Sequence, residues 1–288
     1  MPELPEVEVV TRELDRCLRG QVISRVVVRV AKLVSPAAAS LRRQLMGEKI
    51  RRVWRRAKMV VIELSTGQSV VIHLKMTGQL IYRQANGKLG AAGGHPIPGG
   101  EQGQPNRFTH VEIHFAGGGV LFFNDQRKFG WLKLLSAAQL AKLSGHHGIE
   151  PLTKQLTPAA VVALAERYPR RPIKQFLLDQ KLIVGLGNIY ADEACFAARI
   201  RPHRPIQSLA GGTLVKLARI IPRLLARAIR HGGTTARDFR HANGQRGNFS
   251  RYLMVYGRGG QPCRRCGTII TKTKQQGRGT HYCSQCQQ

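Results

Sequence analysis

Four cysteines near the C-terminal end constrain the fold of this chain more than any other feature. Cys263 and Cys266 are separated by two residues, as are Cys283 and Cys286, and sixteen residues lie between the two pairs. This spacing lets four thiolates converge on one tetrahedral cation, and it predicts a structural zinc site with no open coordination position. A segment of roughly 30 residues buries too little apolar surface to fold alone, so the metal supplies its folding free energy. We expect a β-hairpin between the cysteine pairs.

The charge balance indicates a polyanionic partner. The chain has 46 Lys and Arg against 16 Asp and Glu, a formal net charge of +30. This charge is segregated, because residues 239–288 contain nine Lys and Arg and no acid, whereas five of the acids lie in the first fifteen residues. Segregated positive charge is typical of proteins that bind a phosphate backbone and release its counterions.

Neither a membrane span nor a secretory signal is predicted. The longest apolar runs are far below the roughly 18 residues that cross a bilayer. The N-terminal residues lack a basic segment followed by an apolar one. We therefore expect no membrane partner and a cytoplasmic, nucleoid-associated location. Cysteines in such a reducing compartment serve as metal ligands or free thiols rather than as disulfides.

Periodicity divides the chain into a β-rich first part and a helical second part. A helix is predicted over residues 3–19, and a sandwich or barrel-like domain is predicted from strands over 21–34, 49–64, 69–74, 79–83, 108–115, 119–124 and 130–135. The glycine-rich and proline-rich segment 84–107 is expected to be a long mobile loop. Helices are then predicted over 137–143, 158–167, 172–180, 189–197 and 208–231. The tight turn 185–188 between two of them presents backbone N–H groups to which phosphate can bind.

The first three residues carry a candidate nucleophile. Met1 precedes a small residue, the context in which it is usually removed during synthesis, and its removal leaves Pro2 with a free secondary amine beside Glu3. An α-amino group has a pKa of about 7.7–8.0, against about 10.4 for lysine, so more of it is neutral and nucleophilic near pH 7. A secondary amine that attacks an aldehyde-level sugar carbon gives an electron-withdrawing iminium ion. The alternative is structural, a proline that begins a helix with acids in its first turn.

Seven motifs follow one another in an order that resembles a known family. They are Pro2-Glu3-Leu4-Pro5-Glu6-Val7-Glu8, Arg56-Ala57-Lys58, His73-Leu74-Lys75-Met76-Thr77-Gly78, Asp125-Gln126-Arg127-Lys128-Phe129-Gly130, Gly185-Leu186-Gly187-Asn188-Ile189-Tyr190-Ala191-Asp192-Glu193, Gly232-Gly233-Thr234-Thr235 and the four-cysteine finger. Over its whole length the chain resembles the bacterial formamidopyrimidine-DNA glycosylases, enzymes that excise oxidised purines.

The resemblance implies an α+β fold in three parts. These are a β-sandwich domain with a long N-terminal helix over residues 1–135, a helical helix-two-turn-helix domain with a lesion-capping loop over 136–250, and a zinc finger over 251–288. It also implies a monomer with one structural Zn²⁺. Its partner would be double-stranded DNA that contains an oxidised purine or an abasic site.

Catalytic roles follow from the same resemblance. Pro2 would displace the damaged base by attack on the sugar C1′, and Glu3 would handle protons on the sugar. The resulting iminium acidifies the C2′ proton, so that β- and δ-elimination cleave the strand on both sides. Lys58 matches an essential lysine near the phosphate, and Arg278 matches a finger arginine that grips the phosphates of the lesion.

DNA-binding roles are implied for six further residues. The enzyme flips the damaged nucleotide out of the duplex, and Met76, Arg127 and Phe129 would fill the gap, with Arg127 bound to the orphaned base. By position alone, Met76 and Phe129 fit ordinary core packing. Asn188 would bind phosphate, and Lys174 would contact the lesion pocket or the backbone. His73 would either contact phosphate or be a satisfied histidine at a strand end. Residues 234–251 would form the loop that caps the everted base.

Two departures from the family pattern stand out in the binding regions. Lys128 replaces an arginine, which keeps the charge but loses a bidentate contact. His281 replaces an aromatic residue of the finger, and because four cysteines already complete the metal shell, we expect it to face solvent or DNA.

Three alternatives explain part of the sequence. An endonuclease VIII type enzyme, which acts on oxidised pyrimidines, is disfavoured by Leu4 and by the separated residues Met76, Arg127 and Phe129. A noncatalytic zinc-ribbon protein would account for the charge and the cysteines but gives no reason for a processed N-terminal proline. An amine-nucleophile enzyme for small carbonyl compounds does not account for the net charge of +30 or the finger.

Overall fold

The computed structural model of the protein describes residues 1–96, 103–234 and 247–288. Its contacts define two compact units, Met1–Gly145 with His231–Asn248, and His146–Arg230 with Phe249–Gln288. The described helices are α1 (Leu4–Leu18), α2 (Ala38–Leu45), α3 (Ala137–Gly145), α4 (Pro158–Glu166), α5 (Ile173–Leu178), α6 (Asn188–Ala198) and α7 (Gly211–Arg230). None of them combines the length and apolar character that a membrane-spanning helix needs.

The first unit is a β-sandwich. Its strands are β1 (Ile23–Val28), β2 (Val34–Ser35), β3 (Ile50–Arg56), β4 (Met59–Leu64), β5 (Ser69–His73), β6 (Gly78–Arg83), β7 (Leu89–Gly94), β8 (Thr109–Phe115), β9 (Val120–Asp125) and β10 (Trp131–Leu135). One sheet has the order β1-β8-β9-β6-β7 and the other β2-β10-β5-β4-β3. The inward side chains of both sheets form one continuous core, so the sandwich alternative is confirmed over a barrel.

Helix α1 closes one side of the sandwich. It packs against β7 and β3, which are the edge strands of the two sheets. Val7, Val10, Leu14 and Leu18 recur at helical spacing and are all buried in the shared core. The helix therefore covers two strand edges and fixes the position of the residues that precede it.

Strand β7 contradicts the prediction of a structureless loop over 84–107. It pairs with β6 from Gln79↔Gly94 to Arg83↔Leu89. Its glycines hide the strand in the sequence, but they have a packing reason: a Cβ on Gly93 would lie 2.3 Å from the Cβ of Val10 in α1. Glycine thus lets the helix approach the sheet closely. Residues 97–102 of the predicted loop lie outside the described residues.

The second unit is helical and ends in a hairpin. Helix α7 packs on α4 and α6, and α6 also contacts the hairpin strand β12 (Arg278–Tyr282), which pairs with β11 (Thr271–Gln275). Residues 179–187 connect α5 to α6 and contain the predicted tight turn. The hairpin predicted between the cysteine pairs is confirmed, with Gln276 and Gly277 at its tip in the left-handed conformation that a two-residue turn requires.

Candidate active site and metal centre

The N-terminal residues lie in a buried setting at the start of α1. Glu3 is the N-cap of the helix and is only 3% exposed, and Pro2, just before it, is also buried. Glu3 and Glu6 form a capping box in which the Glu3 N–H donates to Glu6 Oε2 at 3.0 Å. Pro2 therefore precedes the first helical turn, where the positive end of the helix dipole disfavours a charged amine.

Lys58 lies close enough to the N-terminus to affect its ionisation. With Met1 present, burial lowers the pKa of the α-amino group from its ordinary value, and the positive charge of Lys58 lowers it further, against the opposing charges of Glu3 and Glu6. Lys58 itself is 6% exposed. The sequence alone does not show that residues 2 and 58 are close in space. The effect of the Lys58 charge on the N-terminal amine indicates that they belong to one site.

A tight hairpin holds Lys58 in place. Arg56 pairs with Met59 across the β3–β4 turn, and Ala57 has a left-handed φ of 53°. The buried Arg55 side chain donates to the Ala57 carbonyl at 2.8 Å and to Glu8 Oε2 of α1 at 2.8 Å. The turn is thus tied to the same helix that carries Glu3.

Glu6 ties a second segment to the N-terminus. Its Oε1 accepts hydrogen bonds from the backbone N–H and the hydroxyl of Thr234, at 2.8 and 2.9 Å. Gly233 is at φ 76°, and a Cβ there would lie 2.8 Å from Glu6 Oε1, so the glycine motif serves this contact. The predicted capping loop follows directly, and its residues 235–246 lie outside the described residues.

Met76 and Phe129 are exposed rather than packed in the core. Their exposed fractions are 44% and 53%, which are large for apolar side chains of this size and exclude the core-packing alternative. Each follows a lysine in the left-handed conformation, Lys75 at φ 50° and Lys128 at φ 56°. The guanidinium carbon of Arg127 lies 4.6 Å from the centre of the Phe129 ring, a cation–π contact on the same loop.

Asp125 organises that loop and was not singled out from the sequence. It is fully buried, and its carboxylate accepts from the backbone N–H groups of Arg127, Phe129 and Gly130 at 3.1, 2.8 and 2.6 Å, and from the Thr77 hydroxyl. One carboxylate therefore connects the loop that carries Arg127 and Phe129 to the residue after Met76. An Asp directly after a predicted strand, followed by a loop of polar residues, is the sequence signal that could have indicated this role.

His73 is half-buried in a structural setting. Its Nδ1 accepts from the Lys75 N–H at 2.9 Å, and its ring centre lies 5.7 Å from that of Trp131. These contacts hold the turn that leads to Met76. The predicted phosphate contact of His73 stays a prediction.

Lys174 is placed where a DNA contact is not expected. It is 0% exposed, and its ammonium lies 2.7 Å from Asp192 Oδ1 and donates to the Gly279 carbonyl and the Thr280 hydroxyl at 2.9 and 2.8 Å. The hydrogen-bonding capacity of a lysine ammonium is thereby filled inside the second unit. This placement supports a role in holding the finger hairpin to the helices.

His281 is buried, which corrects the expectation that it faces solvent or DNA. It is 7% exposed, and both its backbone N–H and its ring Nδ1 contact Asp192 Oδ2, at 2.9 and 3.2 Å. The neighbouring Glu193 accepts from the backbone N–H groups of residues 254–256 at 2.9–3.0 Å. Helix α6 thus binds the segment before Cys263 and the hairpin strand β12 through two buried acids to which the sequence assigned no role.

Asn188 lies at the predicted turn before α6, and Arg278 lies in the finger hairpin. Asn188 begins α6, and its Nδ2 donates to the Gly279 carbonyl at 2.8 Å while its Oδ1 has no hydrogen-bond partner among the described residues. Arg278 is exposed beside the hairpin tip and lines a cleft with Arg171 and Gln175. Both therefore belong to the hairpin end of the second unit, and their phosphate contacts stay predictions.

The four cysteines form a metal centre. All four Sγ atoms lie within 4.8 Å of one another, with Cys263–Cys286 at 4.0 Å and Cys266–Cys283 at 3.5 Å. Tetrahedral Zn²⁺ with bonds of about 2.3 Å separates its sulfur ligands by roughly 3.8 Å, so the residues fit one zinc ion. With four thiolates and no open position, such an ion stabilises the fold and takes no part in the chemistry.

Comparisons with known proteins agree with this arrangement. Three family models match in order: the formamidopyrimidine-DNA glycosylase N-terminal domain over residues 1–132, the formamidopyrimidine-DNA glycosylase H2TH domain over 147–240, and the zinc finger found in FPG and IleRS over 260–288. Among solved structures, a complex of Lactococcus lactis Fpg with DNA that contains an abasic site is similar at a TM-score of 0.87 and 32% identity, covering 99% of both chains.

Curated relatives are similar over their full length. The formamidopyrimidine-DNA glycosylase of Pelotomaculum thermopropionicum is 42% identical over 100% of this chain and 99% of its own. That of Enterococcus faecalis is 39% identical over 100% of this chain and 98% of its own. The order of the matched domains, the four-cysteine centre and this full-length identity agree, and the chain belongs to the formamidopyrimidine-DNA glycosylase family.

Proposed function

We propose that the mature protein excises oxidised purines, 8-oxoguanine and formamidopyrimidines, from duplex DNA and then cleaves the strand at the abasic site. The observation that carries the proposal is the buried Pro2–Glu3 pair at the start of α1, electrostatically coupled to Lys58. Glycosylase and lyase activities are those of the family. Lactococcus lactis relatives of similar fold are bound to DNA that contains Fapy-dG or an abasic site, which supports the substrate class.

The proposed chemistry begins at the nitrogen of Pro2, which removal of Met1 converts from an amide to an amine. Burial lowers the pKa of the Met1 α-amine at this position, and Lys58 acts in the same direction against Glu3 and Glu6. We expect the Pro2 amine to be affected in the same way, so that more of it is neutral and nucleophilic near pH 7. The nitrogen attacks C1′, the bond from C1′ to the base breaks, and the base leaves with the electron pair and takes up a proton. Protonation of the sugar ring oxygen with Glu3 as the acid then opens the ring and leaves an iminium ion.

Strand cleavage follows from the iminium ion. Its positive nitrogen acidifies the C2′ proton, and loss of that proton expels the phosphate from the 3′ carbon. A second elimination expels the phosphate from the 5′ carbon, and hydrolysis by water frees Pro2. Lys58, a buried lysine whose charge acts on the N-terminal amine, is suited to hold a flanking phosphate and to donate protons to the leaving groups.

The exposed side chains of the first unit support a flipped-out substrate. A nucleotide that leaves the duplex exposes apolar base faces, and Met76 and Phe129 are apolar side chains already in solvent. Arg127, on the same loop as Phe129, would hydrogen-bond the orphaned base. The proposed substrate is chromosomal DNA, which would place the enzyme with the nucleoid in the cytoplasm.

Borohydride trapping tests the proposal directly. A duplex with 8-oxoguanine opposite cytosine is incubated with the mature protein and reduced, and the linked peptide is located by mass. We expect a covalent complex at Pro2 for the wild type, and base excision slower by at least about 100-fold for Glu3→Gln because a proton-transfer group is lost. A link to another residue would contradict the mechanism.

A duplex with a plain abasic site distinguishes an error in the proposed substrate from an error in the proposed mechanism. Trapping on the abasic duplex without trapping on 8-oxoguanine would keep the imine chemistry and change the substrate. A duplex with an oxidised pyrimidine belongs in the same series, because one similar Lactococcus lactis complex contains such DNA. No trapping on any of them, with binding retained, would indicate a DNA-binding protein without chemistry.

A further inference from the structure

Five basic residues form a single stripe along α7. Lys216, Arg219, Arg223, Arg227 and Arg230 recur at intervals of three or four residues, which places them on one face of the helix, and all five are exposed. The stripe is about 21 Å long at a rise of about 1.5 Å per residue. The helix contains no acidic residue, so nothing on the helix itself neutralises the stripe.

Helix α1 shows how an exposed face of this protein neutralises its arginines. There, Arg12 and Arg19 each contact the acid four residues earlier, Glu8 at 2.7 Å and Asp15 at 2.5 Å. No described ion pair joins a residue of the α7 stripe to a carboxylate. Like charges at this spacing destabilise a helix, so a face built only for solubility is expected to alternate in sign.

The rest of the second unit does not supply the missing negative charge. Residues 146–230 and 249–288 contain 21 Lys and Arg against five acids. Glu150, Asp192 and Glu193 are buried, and Asp179 is paired with Arg171 at 2.8 Å. Only Glu166 is left exposed without a described ion pair, so the described residues of the second unit leave the stripe unneutralised and able to bind an external polyanion.

The opposite face of α7 is not available for insertion into a membrane. A basic amphipathic helix binds a membrane by inserting its apolar face. Here the apolar residues Leu214, Leu217, Ile221 and Leu225 are at most 5% exposed, within the unit that α4 and α6 form with α7. A phosphodiester backbone needs only the charged face, and one strand of B-DNA presents about six phosphates along 21 Å.

We propose that the α7 stripe (Lys216, Arg219, Arg223, Arg227 and Arg230) is a sequence-independent binding surface for the backbone of double-stranded DNA. It needs neither a lesion nor the N-terminal amine. It adds salt-dependent affinity for undamaged DNA, on which a repair enzyme spends most of its search. Its existence does not depend on the catalytic proposal.

The test removes the first three charges of the stripe. In the full-length, zinc-loaded protein, Lys216, Arg219 and Arg223 are changed to Gln, which retains good helix propensity; Arg227 is kept because it stacks on Tyr252 at 4.9 Å. Binding to an undamaged 20-base-pair duplex is followed by fluorescence anisotropy between 50 and 200 mM salt. We expect Kd to rise about tenfold or more at 100 mM, and the slope of log K against log salt to flatten by about two to three.

A matched variant removes the same charge elsewhere. Arg12, Arg19 and Arg52 are each more than half exposed and each paired with a carboxylate; their change to Gln is expected to alter Kd less than threefold and leave the slope nearly unchanged. Equal losses of affinity in the two triple variants would mean that only the net charge of the protein matters, and would overturn the proposal. An unchanged duplex affinity together with weaker binding to vesicles of anionic lipid would overturn it in favour of a membrane surface. Thermal unfolding of both variants identifies any effect that comes from misfolding.

Discussion

Among single residues, Asp125 shows how a buried charge is used to shape an exposed loop. A buried carboxylate is stable only when hydrogen-bonded, and here the donors are three backbone amides of one loop and the Thr77 hydroxyl. The glycine at position 130 is required by the same arrangement, because a Cβ there would lie 2.8 Å from the Phe123 ring. The exposed positions of Arg127 and Phe129 are thus determined by a side chain that cannot itself reach DNA.

Changing Asp125 to Asn should loosen the loop. The amide keeps one acceptor oxygen, so the donors at the other oxygen lose their partner, which costs about 1–3 kcal/mol for buried groups. We expect a lower Tm and a weaker preference for cytosine over adenine opposite 8-oxoguanine in excision assays. Asp179→Asn, at an ion pair about one-third exposed, is the control and should change stability by less than about 1 kcal/mol. An unaltered opposite-base preference would leave Asp125 with a purely structural role.

Arg127 should matter for the choice of the opposite base more than for strand cleavage. In Arg127→Ala, a guanidinium that can hydrogen-bond the orphaned base is lost, and each such contact is worth about 1–3 kcal/mol of discrimination. Excision rates opposite cytosine and adenine should converge, while cleavage of a plain abasic duplex changes little. Lys128→Ala removes the same charge from the next residue and should weaken binding without altering the preference. Retained cytosine preference in Arg127→Ala would contradict the assignment.

At the scale of helices and strands, the sequence predicted those elements whose apolar residues follow their burial. It did not predict an element whose packing requires unusual residues, such as glycines in a strand. The apolar period of α1 and the strand-like runs at β6, β8, β9 and β10 predicted the positions of these elements to within a few residues. Strand β7 was missed because its glycines serve the approach of α1. The run 49–64 was read as one strand because Ala57, which makes the turn, carries no turn signature.

The residues of the candidate site likewise divide into those that the sequence predicted and those that it did not. Local motifs predicted the metal ligands, and the resemblance to the family predicted residues at the N-terminus and on the exposed loops. Contacts between residues distant in sequence could not be read from the pattern, such as Asp192 with Lys174 and His281 or Glu6 with Thr234. Lys174 is fully buried, which no local motif indicates, and its DNA contact stays a prediction.

The Lys174–Asp192 pair should stabilise the attachment of the finger to α6. In Lys174→Met, Asp192 loses its buried cation, and breaking a buried pair from one side costs about 3–5 kcal/mol. Urea unfolding should show this loss, and limited proteolysis should cut the hairpin first. Lys181→Met, an exposed lysine near the 185–188 turn, is the control and should leave stability within about 0.5 kcal/mol. Unchanged stability with weaker lesion binding would instead restore the predicted DNA contact of Lys174.

The finger should depend on its metal. Cys263→Ser removes one of four ligands that lie within 4.8 Å of one another, and the metal provides most of the folding free energy of so small an element. Zinc content should fall well below one per chain, and affinity for abasic DNA should fall with it. Cys195→Ser changes a buried cysteine outside the cluster and should keep the zinc. Full zinc content and affinity in Cys263→Ser would contradict the assignment.

At the scale of the whole molecule, DNA affinity and the proposed reaction depend on different groups. The net charge of +30 is spread over many side chains, so DNA affinity is a sum of contacts that no single substitution removes. In the proposed mechanism the chemistry instead depends on one nitrogen, that of Pro2, which changes from an amide to an amine when Met1 is removed. A change that blocks the nitrogen should therefore abolish the reaction and leave most of the affinity.

A glutamine inserted between Met1 and Pro2 makes that change, because methionine before a large residue is retained and Pro2 then stays an amide. We expect the inserted protein to bind an abasic duplex with a Kd within about threefold of the trimmed wild type, since the loss of one charge contact is small against the total. Borohydride trapping and strand cleavage should both vanish, with the N-terminal mass measured to confirm that Met1 is present. Undiminished trapping in this protein would mean that another amine, the α-amine of Met1 or a lysine, is the nucleophile. Peptide mass would separate the two, and Lys58, a buried lysine whose charge acts on the N-terminal amine, would be the lysine to change first.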